Sequence, residues 1–109
     1  MLTILLLHVF SGLLLAVLAI PLILGRIPPN GLYGFRVPKT LRSETIWYAV
    51  NRHFGKRLLI ASLLFVLGAL LLFFIPNIRL DAYALAALFW LLLTLGTAIY
   101  QSVRYLNTL

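Results

Sequence analysis

Apolar positions along the chain gather into three long runs, Leu2 to Leu24, Leu58 to Ile75 and Ala82 to Val103, and no Asp, Glu, Lys or Arg interrupts any of them. A helix takes about 20 residues to cross a hydrocarbon core about 30 Å thick, and each run is close to that length. Alternation at period two is missing from all three. Because an unpaired backbone group in lipid is costly, the runs predict transmembrane helices and not barrel strands. The expected fold is an all-α membrane protein with spans at 2–24, 58–75 and 82–103 and a loop and interfacial helix at 25–57, all in a single domain over 1–109. The first run is also read against a secretory leader. It lacks a basic n-region and is long for an h-region, so it is kept as a span.

The polar stretches between the runs have their own pattern. Gly25 to Lys39 holds Pro28, Pro29, Asn30-Gly31, Gly34 and Pro38, a density of breakers that excludes helix and predicts an ordered, bent loop of the kind that carries function. Thr40 or Ser43 is the candidate N-cap of the helix that follows, with Glu44 in its first turn. At about 100° per residue, Trp47, Val50, Phe54 and Leu58 share one face of that helix and Arg52, Lys56 and Ala49 the other. The pattern predicts an amphipathic helix at headgroup level, with Gly55 permitting a bend into the bilayer. Asn51 lies at the edge of the apolar face, where its amide needs partners, and loop backbone groups are the expected ones.

The connection from Pro76 to Asp81 reads as a short turn, with Pro76 ending the second span and Asp81 capping the third. Within the third run, Thr94, Thr97, Gln101 and Arg104 recur at spacings of three, four and three, which sets them on one polar stripe. The inner loop, through Asn30, Thr40 and Asn51, is the expected partner of that stripe. Gly12 and Ala16 in the first run, and Thr94, Ala98 and Ser102 in the third, are small enough for close helix approach.

Composition narrows the function. With 63% of its 109 residues hydrophobic and 10% charged, the chain is excluded as a soluble globular domain, because so small a body has too much surface to clothe. The net charge of +7 is explained by topology, and no nucleic-acid partner is expected. Arg26, Arg36, Lys39, Arg42, Arg52, Lys56 and Arg57 lie between the first two runs and Arg104 just past the third, against Arg79 beside Asp81 in the short turn. Positive residues favour the cytoplasm, so the N-terminus is expected outside and the C-terminus inside. With no cysteine, disulfides, thiolate metal sites and cysteine nucleophiles are excluded. Glu44 and Asp81 are expected on opposite sides of the membrane, as are His8 and His53, so no catalytic pair, metal site or cofactor is expected and the chain does not read as an enzyme. His8, with Ser11 and Gly12 after it, reads first as a packed, hydrogen-bonded polar spot and second as an outward contact for a peptide or a proton.

The run Pro28-Pro29-Asn30-Gly31-Leu32-Tyr33-Gly34-Phe35-Arg36-Val37-Pro38-Lys39-Thr40, followed by Trp47 and Asn51, resembles the signature of the SdpI family of bacterial membrane proteins. The matching positions are Asn30, Tyr33, Gly34, Arg36, Pro38, Thr40, Trp47 and Asn51, which become the candidate site together with the stripe Thr94, Thr97, Gln101 and Arg104. The resemblance implies a multi-pass protein of the bacterial plasma membrane that protects its cell from a secreted, membrane-active toxic peptide. The founding type also recruits a repressor, but it is longer, with further helices ahead of this unit, so that signalling role is not carried over. The partners this reading allows are membrane lipids, a hydrophobic toxic peptide and a second copy of the chain. Two rivals stand beside it. A small oligomeric cation-coupled exporter needs a membrane-embedded acid, which no run contains, and a lipid-binding or structural protein is favoured by the basic segment. Within the loop, Arg36 is the expected anchor to loop carbonyls or a lipid phosphate, with an Arg36–Glu44 pair also open, while Tyr33, Phe35 and Trp47 are expected to seat the loop at the interface.

Overall fold

The first apolar run folds as α1 (Leu2–Ile23) and stops at a glycine. Gly25 takes a left-handed φ of 70°, its N–H donates to Leu22 O, and Arg26 N–H donates to Pro21 O. This pair of bonds is the Schellman ending, which satisfies carbonyls that the helix end would otherwise orphan. The structure, a computed structural model, describes residues 1–109.

After an irregular loop, Pro38 opens a single helical turn, α2 (Pro38–Leu41). Proline suits that first position because its missing N–H would be unpaired there in any case. The breaker density therefore excludes helix only as far as Val37. Ser43 then caps α3 (Glu44–Phe73), its Oγ accepting from Ile46 N at 3.3 Å. The interfacial helix and the second span expected separately at 25–57 and 58–75 are one continuous helix of 30 residues, roughly 45 Å long at about 1.5 Å per residue. The helix runs through Gly55 without a break. A Cβ there would stand 3.0 Å from Ala19 O and 2.9 Å from Ile23 Cγ1, so the glycine lets α1 and α3 touch.

Pro76 follows the end of α3, Asn77 adopts φ 60°, and α4 (Leu80–Leu106) begins at an Arg79 cap. Asp81 is thus inside the first turn and not the cap. Its carboxylate accepts from Ala82 N at 2.8 Å and meets Arg79 at 3.1 Å, with both side chains exposed.

α3 is the central helix, with α1 packed along one side of it and α4 along the other. The seams are built from small residues: Gly12, Ala16 and Ala19 on α1, Ala61, Ser62 and Ala69 on α3, and Ala87, Thr94, Ala98 and Ser102 on α4 are all buried. Small side chains let helix backbones approach where lipid, itself apolar, gives no hydrophobic drive for association. Ser62 and Ser102 turn their hydroxyls back onto Leu58 O and Ala98 O. The outward surface is Leu, Phe and Ile, Phe10 and Phe89 among them at two-thirds exposure. All three long helices are long and apolar enough to cross a membrane. The bundle measures 51 × 22 × 19 Å, with the loop and α2 at one end and the Pro76 turn at the other.

Near the turn end, His8 packs edge-on against Phe65 and Tyr83. Its Nδ1 is buried without a partner, and Ser11 is exposed. The hydrogen-bonded spot expected at His8 is therefore an aromatic cluster, completed by Tyr83, whose hydroxyl donates to Ala69 O at 3.2 Å.

Candidate functional site

A loop free of regular structure has to satisfy its backbone by other means, and Asn30 does much of that between Pro28 and Arg36. Its Oδ1 accepts from Leu32 N and Tyr33 N at 2.8 and 2.7 Å, and its Nδ2 donates to Pro28 O and Tyr33 O at 2.8 and 3.0 Å. All four bonds close one tight turn, the local geometry for which asparagine is suited. Arg36 Nε then donates to Asn30 O at 2.9 Å. Arg36 is exposed, anchors to a loop carbonyl, and forms no pair with Glu44.

The second half of the loop is tied down by Thr40. Its Oγ1 accepts from Val37 N at 3.0 Å and shares its proton between Val37 O at 2.9 Å and Phe35 O at 3.0 Å. Thr40 is fully buried, so these bonds stand in for the water it has lost. Pro38 sets the direction of the chain just before it.

Two residues of α3 receive the loop. Trp47 has no exposed surface, and its Nε1 donates to Ile27 O at 2.8 Å. Asn51, 1% exposed, accepts from Phe35 N at 2.6 Å and donates to Trp47 O at 3.0 Å. Gly34 lies flat over both with φ 114°, and a Cβ there would be 2.8 Å from Asn51 Oδ1 and 3.1 Å from the Trp47 ring. Trp47 is thus not an interface anchor facing lipid. The loop folds over the face of α3 that the helical pattern marked as membrane-facing, and protein takes the place of headgroups there. Phe35 completes the cover at 5.3 Å from the Phe54 ring. Tyr33 is half-buried with its hydroxyl enclosed and unpartnered, and burial pushes the phenol above its ordinary value.

Three contacts at this end escaped the sequence reading. Arg52, assigned to the solvated face, reaches back to donate from Nε to Ile23 O at 3.1 Å, a cation on the carbonyl end of α1. Lys39 Nζ donates to Leu106 O at 3.1 Å and does the same for α4. The glycine that ends the first run was a usable signal, since a helix stop leaves carbonyls in need of donors. The third contact, from Trp47 to Ile27 O, left no local trace.

The α4 stripe is a separate feature. Thr94 and Thr97 bond to Leu91 O and Leu93 O of their own helix, while the Gln101 side chain has no such bond and the Arg104 guanidinium lies 5.9 Å from the Tyr100 ring. The expected pairing with Asn30, Thr40 and Asn51 does not form, because those three spend their polar atoms on the loop itself. The stripe faces instead a cleft between α3 and α4 that also takes in Arg57. At its loop-end mouth His53 stacks on Tyr105 with centroids 4.4 Å apart.

The model of the SdpI/YfhL protein family matches residues 26–102, a stretch that takes in the loop, α2, α3 and most of α4. No curated protein and no solved structure matches the chain.

Proposed function

Because the chain belongs to the SdpI/YfhL family, we propose that it is a small multi-pass protein of the bacterial plasma membrane that protects its cell against a membrane-active toxic peptide, by binding or shielding it within the bilayer. The supporting observation is the docked loop: the motif residues Asn30, Gly34, Thr40, Trp47 and Asn51 hold one surface in one shape. Such a role needs no bond-making chemistry. Apolar helix faces with a few oriented polar groups suffice to hold a hydrophobic peptide, and the motif supplies the rigid end of that surface.

The test is expression in a sensitive bacterium challenged with a panel of membrane-active killing peptides. Asn51→Ala leaves Phe35 N–H without its acceptor, and Arg36→Ala frees the Asn30 turn. Each is expected to lower protection on the order of tenfold, the factor that corresponds to about 1.4 kcal/mol of lost loop docking, with normal accumulation in the membrane. Lys56→Ala, on an exposed position, keeps full protection. If no peptide is resisted, or both the Asn51 and the Arg36 variants protect as the parent does, a lipid-binding or structural role becomes the better description.

The loop end belongs in the cytoplasm on this reading, since it gathers eight of the nine basic residues. A cysteine placed at Asn77 is then expected to react with a membrane-impermeant thiol reagent in intact cells, and one at Asn107 to stay unlabelled. The reverse pattern inverts the topology.

A further inference from the structure

The basic residues at the loop end divide into two kinds. Arg36, Lys39, Arg42 and Arg52 all donate to backbone carbonyls. Arg26, Lys56, Arg57 and Arg104 make no such bond, and of these Arg57 and Arg104, the latter 5.9 Å from the Tyr100 ring, both line one cavity of about 300 Å³ together with His53, Gln101 and Thr108. His53 Nε2 is enclosed there without a partner. Neither arginine is in an ion pair: the one in the chain, Arg79–Asp81, is at the opposite end.

A second cavity of about 190 Å³ lies along the α3–α4 seam, shares Arg57 and Gln101 with the mouth, and runs past Ala61, Thr94 and Leu64 to Trp90. Trp90 closes it. Its Nε1 donates to Leu64 O at 2.8 Å, and the ring occupies the place that a Cβ on Gly68 would fill. From Gln101 to Trp90 the rise along α4 is roughly 16 Å at about 1.5 Å per residue, which is about half of the ~30 Å hydrocarbon core.

We propose that this cleft is a binding site for one anionic membrane phospholipid, with the headgroup phosphate between Arg57 and Arg104 and an acyl chain lying along the seam as far as Trp90. Charge and length select this occupant. Two guanidinium groups that line one mouth and are in no ion pair favour an anion there, and phosphate accepts the planar fork of each arginine. An apolar slot that opens at headgroup depth and ends at the bilayer midplane has the dimension of a single leaflet. The Gln101 amide, which lines both cavities, then finds partners in the glycerol and headgroup oxygens. The site uses the α4 stripe and none of the loop-motif residues, so it can be tested apart from the peptide-protection reading.

The experiment uses the full chain reconstituted in phosphatidylcholine vesicles that contain a small fraction of phosphatidylglycerol, with bromine on the acyl chains of one lipid or the other, and reads tryptophan quenching. Trp47 is sealed from lipid, so the quenched signal belongs to Trp90, and Trp90→Phe is expected to remove it. Brominated phosphatidylglycerol is expected to quench as though enriched at the site on the order of tenfold over brominated phosphatidylcholine. Arg57→Gln with Arg104→Gln removes that preference, Lys56→Gln keeps it, and Thr97→Phe, which fills the slot at unchanged charge, lowers quenching by both lipids. Equal quenching by the two lipids in the parent, or a preference that survives in the double variant, overturns the proposal. So does displacement of the brominated lipid by a hydrophobic peptide at equimolar amount, which makes the cleft a peptide site.

Discussion

Trp47→Ala is expected to lower the stability of the protein by about 3–5 kcal/mol, the range for truncating a fully buried large aromatic. The indole is closed over by Gly34 and is the roof beam between the loop and α3, with its N–H on Ile27 O. Its removal empties the space under the loop and takes the donor away from that carbonyl. Thermal unfolding in detergent should show a large fall in midpoint, and trypsin should cut between Arg36 and Arg42 rapidly where the parent is cut slowly. Trp47→Phe separates the two contributions: it keeps most of the packing and loses the hydrogen bond, at about 1 kcal/mol. A Trp47→Ala protein that unfolds at the parent temperature would show that the loop end adds nothing to stability.

Gly34→Ala is expected to act on the loop alone. The backbone there holds φ 114°, and the added methyl would lie 2.8 Å from Asn51 Oδ1. An alanine in such a conformation costs about 1–3 kcal/mol, and moving it aside breaks the bond from Phe35 N to Asn51, for a total of about 2–4 kcal/mol of lost docking. Helix content and unfolding temperature should change little, because α1, α3 and α4 keep their seams. Cleavage between Arg36 and Arg42 should rise by about 30-fold or more, since proteolysis of a locally opened segment follows the free energy of opening. Unchanged cleavage would mean that the loop tolerates the methyl without leaving α3.

The three spans were legible because an uninterrupted apolar run has few other uses, and small residues at Gly12, Ala16, Ala98 and Ser102 marked the seams correctly. The loop was legible as ordered from its prolines, glycines and Asn30. The continuity of α3 was not. Hydropathy falls at Arg52, Lys56 and Arg57, and the apolar run was therefore started at Leu58, but charge does not end a helix, and a glycine within one costs only about 1 kcal/mol. Trp47 was misplaced for a related reason. A tryptophan among basic residues at a span's end has the composition of an interface anchor, and only a segment about 20 positions upstream, folding back through Ile27, turns it into core. The α4 stripe was found by its spacing, but spacing fixes a face and not a neighbour, and α3 took the place assigned to the loop.

The partners that fix the loop lie almost wholly on one side of the chain's order of synthesis. Ile23, Ile27, Asn30, Thr40, Trp47, Asn51 and Arg52 are all made before α4, and the one bond that crosses to it is Lys39 to Leu106 O. As chains fold from the N-terminal side while they are being made, α1, the loop and α3 form a hairpin that can lock as soon as Phe73 enters the bilayer. The seam beside Trp90 exists only once the last helix has arrived. Between those two events the α3 face that will line it has no α4 against it, so the cleft is the last feature of the fold to form.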